Sequence, residues 1–418
     1  MKYVSIVPLC CVALLITGCS QPPEEQPPET VTLIDLGTGA DAGDDLGDLA
    51  GEVADAGDDL GDEADLADMS PALDMPVEED MLSSDMGAVA ETPCGREWSW
   101  SSGTEFAGAA RDHHVTFIHQ TPQGASLHVI SGTNYRGLFD DLWRAPILDD
   151  NELGEWEQAP KLPYVRGGMA YAPHRDKHLF LGGRDARGMV QTVLVSTHGE
   201  DGEITGFEET TPLPAPRFHG AAAVSGDRVY VSGGLTGSGQ AQSSLFIGEL
   251  DEESHVTSWR EASLPEARSH HASFVYEGHL YLLHGFSGNP FQNATMNHQD
   301  IVRARIDPQT GDPGEWEVFL EDNVGLSTMA ATLSEDCVCR LGGLMSVPLS
   351  GYDYSNAMVC YDLDSPPGMV SKTQHAFTLG RSHMHQAPFY NGAYYIVGGS
   401  EDYQTVTTEV EIGRVVPR

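Results

Sequence analysis

From about residue 94 onward, short apolar runs alternate with clusters of Gly, Ser, Asp and Pro. The clearest unit is Ala215–Pro265. Arg217-Phe218-His219 leads into an apolar run, His219 to Val224, and then a Ser225-Gly226-Asp227 turn. Val229-Tyr230-Val231 alternates, Gly233-Gly234 breaks the run, and Leu245-Phe246-Ile247 follows a Gly/Ser/Gln loop. A last run around Trp259 stops at Leu264-Pro265. Period-two alternation bounded by turn residues predicts four short strands, each too short to be stable alone.

The unit repeats. Its opening basic residue recurs as Arg111, Arg166, Arg217, Arg268 and Arg381, and its glycine step as Gly132, Gly183, Gly234, Gly285, Gly343 and Gly399. The steps are spaced by 51, 51, 51, 58 and 56 residues, a length typical of propeller arrays. Trp156, Phe207, Trp259 and Trp316 mark the last strand of successive units. The glycine pair after a Tyr/Val/Leu-rich strand, the later Trp and the Arg-x-His opening resemble the kelch repeat family, the galactose-oxidase-like type included, over about Cys94–Arg418. The resemblance implies an all-β fold: a six-bladed β-propeller of four-stranded blades.

Six glycine steps predict six units, and the chain ends support this. Few residues follow Gly399, so the last unit lacks its outer strand, while Trp98 and Trp100 stand ahead of the first. Glu97–Ser101 is therefore expected to complete the last blade beside Thr407–Ile412 and close the ring, which removes unpaired edges. Inner strands are expected at Val115–His119, Gly168–Tyr171, His219–Val224, Ala272–Tyr276, Met329–Leu333 and Gln386–Tyr390. The fifth unit departs most: it lacks the opening Arg, and no Trp stands near Val370–Lys372.

The N-terminal part is different material. Residues 1–18 read as a signal peptide, with Lys2 ahead of an apolar run too short to span a membrane as a mature helix. Ile16-Thr17-Gly18-Cys19 resembles a bacterial lipobox, which makes Cys19 the lipidation site and the membrane, with the outer membrane favoured, one partner. Residues 19–92 hold no Lys or Arg and 22 Asp and Glu, and ADAGDDLGD occurs at both Ala40–Asp48 and Ala54–Asp62. Such a stretch buries too little apolar surface to fold and repels itself, so it is expected to be a disordered acidic tether. Its spacing fails the EF-hand pattern.

The whole chain carries −41. Removing −22 for the tether and +1 for Lys2 leaves −20 for the body at 93–418, which argues against a nucleic-acid partner. A monomer is the expected state. Cys94, Cys337, Cys339 and Cys360 permit three pairings in an oxidising compartment. The expected strand positions favour Cys339–Cys360 within the fifth unit, with Cys94–Cys337 pinning the incoming chain; four buried thiols are the alternative.

No G-x-S-x-G, H-E-x-x-H, Walker or dinucleotide motif occurs, so no catalytic residue, metal or cofactor is assigned. The candidate ligand-binding residues are the repeated Arg111, His113, Arg166, Arg217, His219, Arg268, His270, Arg381 and His383. They sit where the chain enters each innermost strand, near the mouth of a propeller channel. Two readings stay open. Guanidinium forks suit carboxylate or phosphate, so a positive funnel could take an anionic sugar or acidic peptide. Equally, each Arg could brace its own blade. His383-x-His385 on one strand face raises a metal as a rival, while His174 and His178 flank a hairpin turn and read as solvated. The function expected is a binding module at the cell envelope, with a protein, peptide or glycan as partner. The enzyme alternative is an acidic-sugar epimerase of the neuraminate type.

Overall fold

The computed structural model describes residues 93–416, apart from 293, 335–336, 348–350, 371 and 403–404. The signal peptide, Cys19 and the acidic tether lie outside the described residues. Apart from the 3-10 turns Pro93–Gly95 and Pro290–Gln292, the described elements are all strands.

Six four-stranded antiparallel sheets account for most of them. In chain order, sheet 1 is Val115–Thr121, Gly124–Ile130, Leu142–Pro146 and Glu157–Ala159. Sheet 2 is Ala170–His174, Lys177–Leu181, Val193–His198 and Ile204–Thr210. Sheet 3 is Ala221–Ser225, Arg228–Ser232, Gln242–Leu250 and Val256–Arg268, and sheet 4 is Ala272–Tyr276, His279–Leu283, Asp300–Ile306 and Pro313–Glu321. Sheet 5 is Ala330–Ser334, Cys337–Leu341, Ala357–Asp362 and Lys372–Ala376. Sheet 6 combines Phe389–Tyr390, Ala393–Val397 and Val410–Val415 with Trp98–Ser102 from the start of the body.

The incoming strand thus lies where Trp98, Trp100 and the short C-terminal unit place it, one residue along from expectation, with Trp98 opposite Val415 and Ser102 opposite Glu411. The inner strand of sheet 6 is shorter than expected, because residues 384–388 run outside regular pairing before Phe389.

Alternation along each second strand sends side chains to the two flanking sheets. Val229 and Val231 pack toward sheet 2, while Tyr230 joins Leu280 and Leu282 on the sheet 4 side. Tyr281 and Leu283 face sheet 5, and Tyr394 and Ile396 meet Cys339, Leu341 and Met358 of the same sheet. Tyr395 and Val397 pack against Leu127 and Val129 of sheet 1, so the series of cores returns to its start. Both faces of these strands are buried, which is why they read as continuous apolar runs.

Two sets of backbone hydrogen bonds follow the same cycle. The amide of His113 donates to His383, Gly168 to His113, His219 to Gly168, His270 to His219, Thr328 to His270 and His383 to Thr328, all over 2.8–3.0 Å. The second glycine of each step donates to the carbonyl of the next opening residue: Gly132 to Arg166, Gly183 to Arg217, Gly234 to Arg268, Gly343 to Arg381 and Gly399 to Arg111. In the Arg-less fifth unit Leu326 supplies that carbonyl to Gly285. The outer indoles add a third link. Trp156, Trp259 and Trp316 donate to the carbonyls of Thr104, Thr211 and Ser263, each at the outer strand of the preceding sheet.

Both expected disulfides are present, Cys94–Cys337 and Cys339–Cys360. The second joins facing residues of neighbouring strands. The first ties the incoming chain to sheet 5, just before that chain crosses to complete sheet 6.

Candidate functional site

The five repeated arginines are buried, between 0% and 7% exposed, and each is spent within the repeat unit that it opens. Arg111 forks onto Asp141 and also donates to Ser131 O. Arg268 donates to His284 O and Asp300. Arg381 reaches Gly398 O, Glu409 and the buried Glu411. Arg166 donates to Gly182 O. Arg217 is the variant: it donates to Pro216 O and Ser244 Oγ and lies 4.7 Å from the Phe246 ring centre. In four of five, then, the guanidinium closes the end of the second strand by capping a carbonyl of the glycine step or of the residue before it. These groups do not converge into a positive funnel. The brace reading describes their geometry, because a buried guanidinium without hydrogen-bond partners would be costly.

The histidines behave differently. His113, His219, His270 and His383 converge, and His385 joins them. Ring centres lie 3.8 Å apart for His219–His270, 4.6 Å for His113–His219 and His113–His383, and 4.7 Å for His219–His385. The backbone dictates this. His113, His219, His270 and His383 all have φ of 55–56°, and Thr328 and Gly168 share that left-handed conformation at 61° and 63°. Six positive-φ residues, bonded to one another in a cycle, turn four imidazoles toward a common centre.

Gly168 interrupts the His pattern for a steric reason: a Cβ there would lie 2.3 Å from the Phe218 ring and 2.9 Å from His219 Cε1. The space belongs to Phe218, whose ring stacks on His113 at 6.0 Å.

The residue in the middle of Arg-x-His sets the ring orientation. Asp112 Oδ1 lies 2.6 Å from His113 Nδ1, Ser269 Oγ 2.9 Å from His270 Nδ1, and Ser382 Oγ 2.8 Å from His383 Nδ1. His219, preceded by Phe218, has no hydrogen-bond partner at either nitrogen. Burial, and then the neighbouring imidazoles, push His219, His270 and His385 well below the usual imidazole value, and burial lowers His383 to about 3. For Asp112 burial works upward, but His113 beside it and Ser400 outweigh it and hold the carboxyl below its usual range. Burial thus favours the uncharged form of His219, His270, His383 and His385 at neutral pH. The rings lie on one another rather than aiming nitrogens at one point, and among the described residues no three His, Cys, Asp or Glu are disposed to hold a metal ion.

Beneath this stack lies a cavity of about 520 Å3. All six sheets contribute to its wall, including Thr116 and Phe117 of sheet 1, Tyr171 of sheet 2, Ala222 of sheet 3, Ser273 and Phe274 of sheet 4, Thr332 of sheet 5, and Phe389 of sheet 6. His385 and Gln386, in the segment leading into sheet 6, line it too. Among the described residues no Asp, Glu, Lys or Arg lines it. Thr116 Oγ1, Ser273 Oγ, Gln386 Oε1 and His385 Nε2 of the lining residues are themselves buried and have no hydrogen-bond partner among the described residues.

A second imidazole group joins sheets 1 and 2. His174 and His178, expected to be solvated, are each 5% exposed. His174 Nδ1 meets Ser254 Oγ at 2.8 Å. Tyr171 Oη lies 3.0 Å from His178 Nδ1, His178 Nε2 3.0 Å from His119 Nδ1, and His119 Nε2 2.9 Å from the Gly202 carbonyl. That carbonyl can only accept, so each ring's proton is fixed in turn: His119 donates to Gly202, His178 to His119, and Tyr171 to His178.

The histidine pattern carried a usable signal for the imidazole stack. The cavity residues Thr116, Ser273 and Gln386 carried none, since isolated polar residues on inner strands look like those on any half-exposed strand. No protein-family model matches the chain. A stretch of 145 residues, 33% of the chain, is 28% identical to part of the dynein alpha chain of the flagellar outer arm of Chlamydomonas reinhardtii, and it spans 3% of that protein's length.

Proposed function

We propose that the six sheets are the blades of one closed, kelch-type β-propeller and that the body is a binding module whose ligand site is the axial cavity. The return of the hydrophobic cores to sheet 1 and the two cyclic hydrogen-bond sets support the closed ring. The observation that carries the binding reading is the cavity wall itself, built by all six sheets from mostly uncharged side chains. Pockets at the centre of such assemblies, mostly apolar with a few placed polar groups, are ligand sites by their physical make-up. The N-terminal part of the proposal is an exported lipoprotein, acylated at Cys19 and held at the envelope by the acidic tether of residues 19–92.

The acidic-sugar epimerase draws no support from the wall, which offers no cationic group for a carboxylate and no carboxylate or lysine to act as base. The reading is tested by applying the full chain to peptide, glycan and small-molecule arrays beside Ala222→Phe, which fills the cavity. Hits that disappear in the variant while its circular dichroism stays unchanged support the cavity as the site. Hits that survive the substitution place the ligand elsewhere and overturn it.

A further inference from the structure

We propose that the axial cavity takes an uncharged small molecule with an apolar body and that it rejects anions. This deepens the binding-module reading and rests on it. Charge comes first. The wall holds no ionised side chain, and a buried charge without a partner costs several kcal/mol. The arginines that suggested an anionic ligand are committed to Asp141, Asp300, Glu411 and backbone carbonyls. An anion in the cavity would meet neutral hydroxyls, an amide and imidazoles, and would lose its water for little return.

The make-up of the wall comes next. Phe117, Phe274 and Phe389 present flat apolar surface. Thr116 Oγ1, Ser273 Oγ, Gln386 Oε1 and His385 Nε2 belong to lining residues but are themselves buried, so they offset little of the water a charged group would lose.

Size completes the description. At about 30 Å3 per water-sized group, 520 Å3 holds on the order of fifteen to twenty non-hydrogen atoms. The stacked imidazoles and the ring of six peptide hydrogen bonds occupy the axis at one end. A compact molecule fits such a blind space and a threaded peptide does not.

A matched trio tests the inference: phenyl β-glucoside, the anionic phenyl β-glucuronide and the cationic phenyl β-glucosaminide. Each is titrated calorimetrically into the full chain, alongside a thermal-shift screen of neutral, anionic and cationic fragments of similar size. The expected result is that neutral compounds bind at least tenfold more tightly than charged counterparts. Equal or tighter binding of charged compounds in competition with the neutral ones overturns the ligand class and leaves the cavity reading standing. If no compound of any charge binds in a way that Ala222→Phe abolishes, the cavity reading fails and this inference with it.

Discussion

The amide of His113 donates to the carbonyl of His383 over 2.9 Å, and their imidazoles stack with centres 4.6 Å apart. One backbone bond and one ring contact thus join the first repeat to the last. Both depend on φ near 55° at each residue, a conformation that costs a non-glycine residue roughly 1–2 kcal/mol. The ring of bonds offsets that strain at all its members together.

The buried imidazoles, in the stack and outside it, should make the protein sensitive to mild acid. His383, His271, His114 and His178 are lowered to about 3, mainly by burial. In the unfolded chain these groups titrate near 6.5. Between those values the unfolded chain binds more protons, so stability is complete above pH 6.5 and falls as pH drops toward 3. Each group contributes a slope of up to about 1.4 kcal/mol per pH unit. Urea midpoints should be flat from pH 7 to 8 and fall already between 6 and 4.5, before most carboxylates titrate. His383→Gln should make that slope shallower. An unchanged slope would show that these rings do not govern the transition.

Gly168→Ala should cost about 2–3 kcal/mol, a typical penalty for overpacking. The left-handed φ of 63° accounts for roughly 1–2 kcal/mol of that penalty, and the clash with the Phe218 ring for the rest. Phe218→Ala in the same chain should return part of the loss, giving a coupling energy of about 1 kcal/mol or more in a double-mutant cycle by chemical denaturation. Strict additivity would mean that the clash is absorbed elsewhere.

Arg381→Ala leaves Glu411, 3% exposed, without its guanidinium. Removing one partner of a buried pair costs about 3–5 kcal/mol, so a large drop in melting temperature is expected. Arg381→Ala/Glu411→Leu, which removes both charges, should recover much of it. Binding by whatever folded protein remains should be unchanged, since this arginine does not line the cavity. A folded Arg381→Ala protein of normal stability that had lost its ligand would restore the anion-binding role.

Cys94–Cys337 closes a sequence separation of 243 residues. In the chain-entropy account a loop of that size is worth roughly 5 kcal/mol. Cys94→Ser/Cys337→Ser should therefore lower stability by several kcal/mol, and amide exchange should rise first in Trp98–Ser102 and Val410–Val415. Exchange rising first in sheet 2 would show that the incoming chain does not depend on the bridge.

The strands, their number and the use of Trp98–Ser102 to complete sheet 6 were legible because each leaves a local trace. Gly233 and Gly234 must turn at positive φ against the backbone of the next unit, Tyr230 and Val231 must alternate, and a sheet short of its outer strand must find one elsewhere. The fate of Arg268 was not legible. Arg-x-His reads alike whether the guanidinium faces an axis or an aspartate, and Asp300 lies in the next sheet, 32 residues along the chain. His178 was misjudged for the same reason: its partner His119 belongs to the neighbouring sheet.

The sequence by itself determined the repeat, the all-β character and the histidines at one recurrent position, since each follows from spacing and alternation along the chain, while it only favoured one of the cysteine pairings. Tertiary structure alone decided that the arginines withdraw into the sheets while the imidazoles meet, and that the wall beneath them carries no charge. Those outcomes depend on which side chains from separate units share one buried space, and burial fixes the partners and the protonation of each group it encloses.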